Sequence, residues 1–248
     1  MNILKNFIKK LLSIFNYRII SNNYPIDFSK SDIKIIKSVS NYTMTSPERI
    51  KSLLEATKYI IKNKIDGSFV ECGVWRGGSM MASMLMLKKL KVKNIKFYLF
   101  DTYDGMSEPS IFDTDYSKNT GRNLLKSNIK DKNNKIWCYS PLDDVKKNIF
   151  KIKYPINNIH FVKGKVEETL PFYAPKKIAL LRLDTDWYKS TKHELECLFP
   201  RLTKGGVLIV DDYGYWKGSK KAVDEYFFNK NYYFQHRIDE NGVIFIKN

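Results

Sequence analysis

Carboxylates gather at the ends of two apolar runs in this chain. Residues 178–183 (Ile-Ala-Leu-Leu-Arg-Leu) lead into Asp184-Thr185-Asp186, and residues 207–210 (Val-Leu-Ile-Val) lead into Asp211-Asp212. Acids held that close repel by several kcal/mol unless a cation or a proton intervenes. With no histidine or cysteine beside them, the donors are hard oxygens, which suit Mg²⁺, Ca²⁺ or Mn²⁺ rather than zinc. Solvated acids at strand ends are the plain alternative. A second group is Glu71-Cys72-Gly73-Val74-Trp75-Arg76-Gly77-Gly78-Ser79, again after an apolar run. Glycines where a strand turns into a helix let the backbone approach a ligand, and the helix start offers free N–H groups. The spacing is not that of the dinucleotide fingerprint. Asp101, 28 residues after Gly73, ends the next apolar run, where an acid can accept from ribose hydroxyls.

These groups need a frame. Short apolar runs at 68–72, 95–100, 159–162, 178–183 and 206–210 alternate with helical patterns at 79–90, 140–152, 190–200 and 219–228. Continuous apolar strands separated by helices read as an α/β parallel sheet covered on both faces. Runs at 232–236 and 243–246, joined by Asp239-Glu240-Asn241-Gly242, read as a terminal antiparallel hairpin. A helix over 47–64 has Thr45 or Ser46 as its cap and Pro47 in its first turn. In such a sheet ligands bind outside the carboxyl ends of the strands, which is where both acidic groups and the glycine turn fall.

Composition narrows the classes. The chain has 248 residues, 43% of them apolar, enough for one sizeable core. Its 43 basic against 26 acidic residues leave a formal charge of +17. Most of the cations are lysine, the seven arginines are scattered, and no nucleic-acid-binding signature appears, so an anionic small substrate or surface explains the balance without nucleic acid. Cys72, Cys138 and Cys197 are too few for a disulfide framework, which points to a reducing, cytoplasmic setting. Residues 1–20 have the pattern of a basic amphipathic helix, suited to packing on a subunit; docking on an anionic membrane surface is the less favoured reading.

In matching order, several segments resemble the macrocin O-methyltransferase family of sugar methyltransferases. They are Tyr42-Thr43-Met44-Thr45-Ser46-Pro47-Glu48-Arg49, Phe69 through Met80, and Leu99-Phe100-Asp101-Thr102-Tyr103-Asp104-Gly105-Met106. Further matches are Val166 through Pro171, Leu181 through Thr191 and Gly205 through Gly214. The resemblance covers roughly residues 40 to 230 and leaves the first 30 residues and most of 118–140 unmatched. It implies a Rossmann-like class I methyltransferase fold, a mostly parallel seven-stranded sheet with a terminal antiparallel hairpin, over 41–248, preceded by a helical extension over 1–40.

The resemblance also implies S-adenosyl-L-methionine as methyl donor, a divalent metal (Mg²⁺ or Mn²⁺), a sugar acceptor and a homo-oligomeric state. On the family's pattern the metal ligands are Asp184, Asp211 and Asp212, and the cofactor contacts are Thr45, Glu71, Gly73, Ser79 and Asp101. Asp184 is assigned as general base as well, because it ends the strand nearest the expected methyl group. The positive balance tilts the acceptor toward a phosphate-bearing, nucleotide-activated sugar or a surface-polysaccharide unit. Two rivals use the same features: a catechol-type O-methyltransferase, and a non-catalytic basic protein that binds nucleic acid or an anionic surface. His193 reads as a helix-surface residue, His160 as structural, His236 as part of the terminal hairpin far from the strand tips, and Cys72 as a packing residue.

Overall fold

The structure is a computed structural model that describes residues 24–228, 230 and 233–248. The expected amphipathic helix over 1–20 lies outside the described residues. The strands are β1 (Ser68–Cys72), β2 (Phe97–Asp101), β3 (Ile159–Lys163), β4 (Ile178–Leu183), β5 (Leu202–Val210), β6 (Tyr233–Arg237) and β7 (Val243–Lys247). They form one sheet in the order β3-β2-β1-β4-β5-β7-β6. β1 to β5 pair in parallel, and β7 runs antiparallel to β5 and to β6. The terminal hairpin is therefore present, with its second strand docked on the sheet. Strand order reverses between β1 and β4, which puts the ligand-binding crevice at their carboxyl ends.

The helices are α1 (Lys30–Val39), α2 (Pro47–Lys62), α3 (Gly78–Lys89), α4 (Gly121–Lys126), α5 (Leu142–Phe150), α6 (Val166–Thr169), α7 (Tyr188–Leu198) and α8 (Lys217–Phe227). β1 and β4 are buried at every position, because helices cover both faces. One core joins Phe69, Phe97 and Leu180 to α1, α2, α3 and α5. The other joins Val70, Cys72, Leu181 and Leu183 to α7 and α8. In α1, Ile35, Ile36 and Val39 enter the first core, so the described end of the expected extension shares the core of the sheet domain. Among the described residues no helix is long and apolar enough to cross a membrane.

Two local choices prepare the site. Strand alternation sends Phe69 and Glu71 to one face and Val70 and Cys72 to the other, and in β4 it pairs Leu180 with Arg182 in the same way. Register then sets Glu71 beside Arg182. In the segment before α2 it is Ser46 that caps, accepting from the Arg49 N–H at 3.1 Å. Thr45 is thereby left to face the strand ends. A third, smaller cluster of Leu125, Trp187 and Trp216 forms where the long 102–140 connection crosses the top of the sheet.

Candidate active site

Arg182 is the hub of the strand ends. Its side chain is only 2% exposed, and a buried guanidinium is tolerable only when paired. Nη1 donates to Glu71 Oε1 at 2.8 Å and to Asp184 Oδ2 at 2.6 Å. Nη2 donates to Thr45 Oγ1 at 2.6 Å and pairs with Asp211 Oδ1 at 2.6 Å. Arg49, from α2, pairs with Asp211 Oδ2 and reaches Asp239 at 2.9 Å. Thr45 Oγ1 also donates to Asp211 Oδ2, at 2.9 Å. Both oxygens of Asp211 are thus engaged by arginines.

Three carboxylates converge beside this network: Asp186, Asp212 and Asp184, the last already held through Oδ2 by Arg182. Each offers one oxygen, and the three lie within 4.8 Å of one another. Burial, then the charge of Asp184, pushes Asp186 up to about 7. Burial, then the charge of Asp186, raises Asp212 in the same way. Burial also raises Asp184, against the pull of Arg182. Two arginines face six carboxylates here, counting Glu71 and Asp239, so the trio is short of positive charge. Asp186 has φ +67°, a left-handed conformation that aspartate adopts only at some cost. Between the two β4 aspartates, Thr185 donates to Glu194 Oε1 at 2.9 Å. Glu194 is fully buried, its second oxygen has no partner, and burial pushes it up to about 8.

A cavity of about 370 Å³ opens over these groups. Its lining includes Thr45, Gly73, Val74, Trp75, Ser79 and Asp101, together with Met106, Ser107, Trp187, Tyr215 and Trp216. Asp101 braces the glycine turn: Oδ2 accepts from the Val74 and Trp75 N–H groups at 2.6 and 3.0 Å, and Oδ1 accepts from Tyr103 at 2.7 Å. Gly73 has φ +82°, and a Cβ there would fall on the Asp184 carbonyl oxygen. The turn is glycine because two strand ends meet at it, which locks the glycine turn to the carboxylate loop. Six acids and three cations line the cavity (Arg49, Lys135 and Lys165 being the cations), so the positive balance of the chain is not that of its cavity.

Set against the sequence reading, Thr45, Gly73, Ser79, Asp101, Asp184, Asp211 and Asp212 all line this one cavity. Two of the expected residues sit differently from the rest. Glu71 is not a lining residue; it sits beneath, 1% exposed, holding Arg182. Asp211 lines the cavity but spends its oxygens on Arg49 and Arg182, and Asp186 takes its place in the converging trio. What the sequence did not reveal is the balancing set of Arg49, Arg182 and Asp239, because an arginine inside an apolar run carries no signal of what it will meet. His193 contacts the Leu170 carbonyl and Cys197, and His160 stacks on Tyr98. Neither lines the cavity.

Comparison with known proteins agrees with this geometry. A family model described as Macrocin-O-methyltransferase (TylF) matches residues 26–247. The chain is 29% identical over 185 residues to a demethyldecarbamoylnovobiocin O-methyltransferase of Streptomyces niveus, covering 75% of this chain and 67% of the relative. It is 29% identical over 190 residues to the Streptomyces olivaceus 8-demethyl-8-(2,3-dimethoxy-alpha-L-rhamnosyl)-tetracenomycin-C 4'-O-methyltransferase, again covering 75% of this chain and 67% of the relative. The solved structure of the O-methyltransferase NovP superposes with a TM-score of 0.71 at 27% identity, covering 84% of this chain and 82% of that one. With the sheet order, the acidic trio and the glycine turn in one cavity, and a family match over nearly all described residues, this chain belongs to the macrocin-O-methyltransferase family.

Proposed function

We propose that the protein is an S-adenosylmethionine- and divalent-metal-dependent O-methyltransferase acting on a sugar hydroxyl, either of a nucleotide-activated sugar or of a surface-polysaccharide unit. The observation that carries this reading is the convergence of Asp184, Asp186 and Asp212 in the cavity that also holds the glycine turn. A relative whose name specifies a rhamnosyl substrate supports a sugar as acceptor.

The donor set fits a hard divalent ion: three carboxylate oxygens lie close together, each raised in pKa by burial and then by the neighbouring acids. Asp184, Asp186 and Asp212 would hold it, with Asp211 as the anchor that keeps both arginines in place. When bound, the ion supplies positive charge that makes a sugar hydroxyl more acidic and orients it. S-adenosylmethionine supplies a methyl group on a sulfonium. Ser79, Thr45 and the backbone at Gly73 would border the donor, and Asp101 keeps lone pairs free for ribose hydroxyls beyond its three backbone contacts.

The hydroxyl proton needs an acceptor poised near neutrality. The sequence points to Asp184 for this task, yet its Oδ2 is held by Arg182 at 2.6 Å, which makes it a weaker base. Asp186, without an arginine partner among its described contacts, suits the role better through an oxygen not given to the ion. Trp187, Tyr215 and Trp216 give the acceptor side flat apolar faces against which a sugar ring can be oriented. Since acids outnumber cations in the cavity, any phosphate of the acceptor would lie away from the trio.

The test is methyl transfer from labelled S-adenosylmethionine to a panel of dTDP-, UDP- and GDP-sugars and a catechol. Each acceptor is assayed with Mg²⁺ and with excess chelator. Transfer to a sugar that stops on chelation and returns with Mg²⁺ is expected. Transfer that survives full chelation removes the metal from the reading, and turnover of the catechol alone replaces the acceptor.

A further inference from the structure

The connection from 102 to 121 has its polarity inside out. Asp113 and Asp115 are buried, at 0% and 4% exposed, while Ile111 and Tyr116 of the same loop are 87% and 68% exposed. Burying a carboxylate without compensation costs several kcal/mol, so the contacts of Asp113 define what the loop is built around. Oδ2 accepts from the Ser110 N–H at 2.6 Å and from the Ser110 hydroxyl at 2.7 Å. Oδ1 accepts from the N–H of Tyr188 at 2.7 Å. Tyr188 is the first residue of α7, which has no side-chain cap of its own. A carboxylate there satisfies an orphan N–H and meets the positive end of the helix dipole.

The same group reaches a second helix start. A Cβ on Gly218, in the first turn of α8, would fall on Asp113 Oδ1. Around it, Lys217 N–H donates to the Thr114 carbonyl at 2.9 Å, Gly121 N–H donates to the Asp113 carbonyl at 2.7 Å, and Asp115 bridges to Trp216. The Trp187 indole N–H donates to the Ser107 carbonyl at 3.0 Å. One loop is thus tied at several points to the two segments that follow the metal-like carboxylates, and Ser107, Trp187 and Trp216 all line the cavity.

We propose that Asp113 is the positioning residue of the acceptor side of the cavity: by tying the loop to the first turns of α7 and α8 it fixes Ser107, Trp187 and Trp216 where the sugar must be held. Asp113 does not itself line the cavity and acts through those three. The inference rests on the acceptor reading above for its kinetic consequence, but not for its structural one.

Two variants test it, Asp113→Ala, which removes the carboxylate, and Gly218→Ala, which displaces it without changing charge. Kinetics use the nucleotide sugar with the highest wild-type turnover, cofactor affinity is measured by calorimetry with S-adenosylhomocysteine, and amide hydrogen exchange reads the loop. Both variants should raise the acceptor KM about tenfold or more, as misplacement of positioning groups does. They should leave S-adenosylhomocysteine affinity within about twofold and speed exchange over 105–121 while β1 to β5 stay protected. Asp113→Asn, which keeps one acceptor oxygen, should recover part of the acceptor KM. An unchanged acceptor KM with unchanged loop exchange overturns the proposal, as does a loss of cofactor affinity equal to the loss for the acceptor. Exchange is read on the protein alone, so a wild type inactive toward every sugar would defeat the acceptor reading while the amides still decide the role of Asp113.

Discussion

Removing the Arg182 guanidinium would strand Glu71 and leave Asp211 with one arginine, both carboxylates being almost fully buried. Breaking a buried ion pair from one side costs about 3–5 kcal/mol, so Arg182→Met should lower the unfolding free energy read from urea denaturation by that amount. Arg182→Lys should recover only part of it, because one ammonium cannot reproduce a fork that serves four partners. Glu194 makes a different kind of prediction. Its pKa rises from the ordinary 4.5 to about 8 in the folded protein, so between those values the folded state holds a proton that the unfolded state has lost. Stability from this group therefore falls as pH rises from about 4.5 to about 8 and is level above that. Glu194→Gln keeps an oxygen for Thr185 and lacks the titration. Its melting temperature relative to wild type should climb from pH 5 to pH 9, measured by calorimetry at matched ionic strength.

At the level of elements, the site depends on where chain segments touch. Gly73→Ala would put a methyl on the Asp184 carbonyl from a backbone at φ +82°. The conformational part alone costs about 1–2 kcal/mol, and the clash should push the ends of β1 and β4 apart. S-adenosylhomocysteine affinity and turnover are expected to fall together. Ser46→Ala instead removes a helix cap, worth about 1 kcal/mol, and should lower the melting temperature while cofactor affinity stays close to wild type. The elements themselves were largely legible. Strands and helices fall within a few residues of their apolar runs, and the 47–64 helix ends at Lys62. β5 begins earlier than expected, at Leu202, because Leu202 pairs with Ile178 of β4 across a register shift that periodicity does not mark.

Across the whole molecule, charge is unevenly placed. The chain carries +17, yet the cavity is lined by more acids than cations. A divalent cation that binds the folded state alone stabilises it by mass action, and protons on the trio compete with it. Millimolar Mg²⁺ should therefore raise the melting temperature more at pH 8 than at pH 5, where Asp186, at about 7, holds its proton. Asp186→Asn should abolish most of that difference. A thermal shift independent of pH, or equal in the variant, would remove Asp186 from the cation site.

Sequence alone determined the layered α/β frame and the gathering of acids and glycines at strand ends. Those features follow from local periodicity and from the rule that parallel strands present their carboxyl ends on one side. It also placed seven of the eight expected site residues on the cavity. Only the tertiary structure decided which carboxylates converge. Arg182 claims Glu71 and Asp211, 111 and 29 positions away in the chain, while Asp184, held by Arg182 through one oxygen, converges with Asp186 and Asp212. Pairing of buried charges is a long-range property of strand register and helix docking, and residues with the same side chain at neighbouring positions, such as Asp211 and Asp212, receive opposite fates from it.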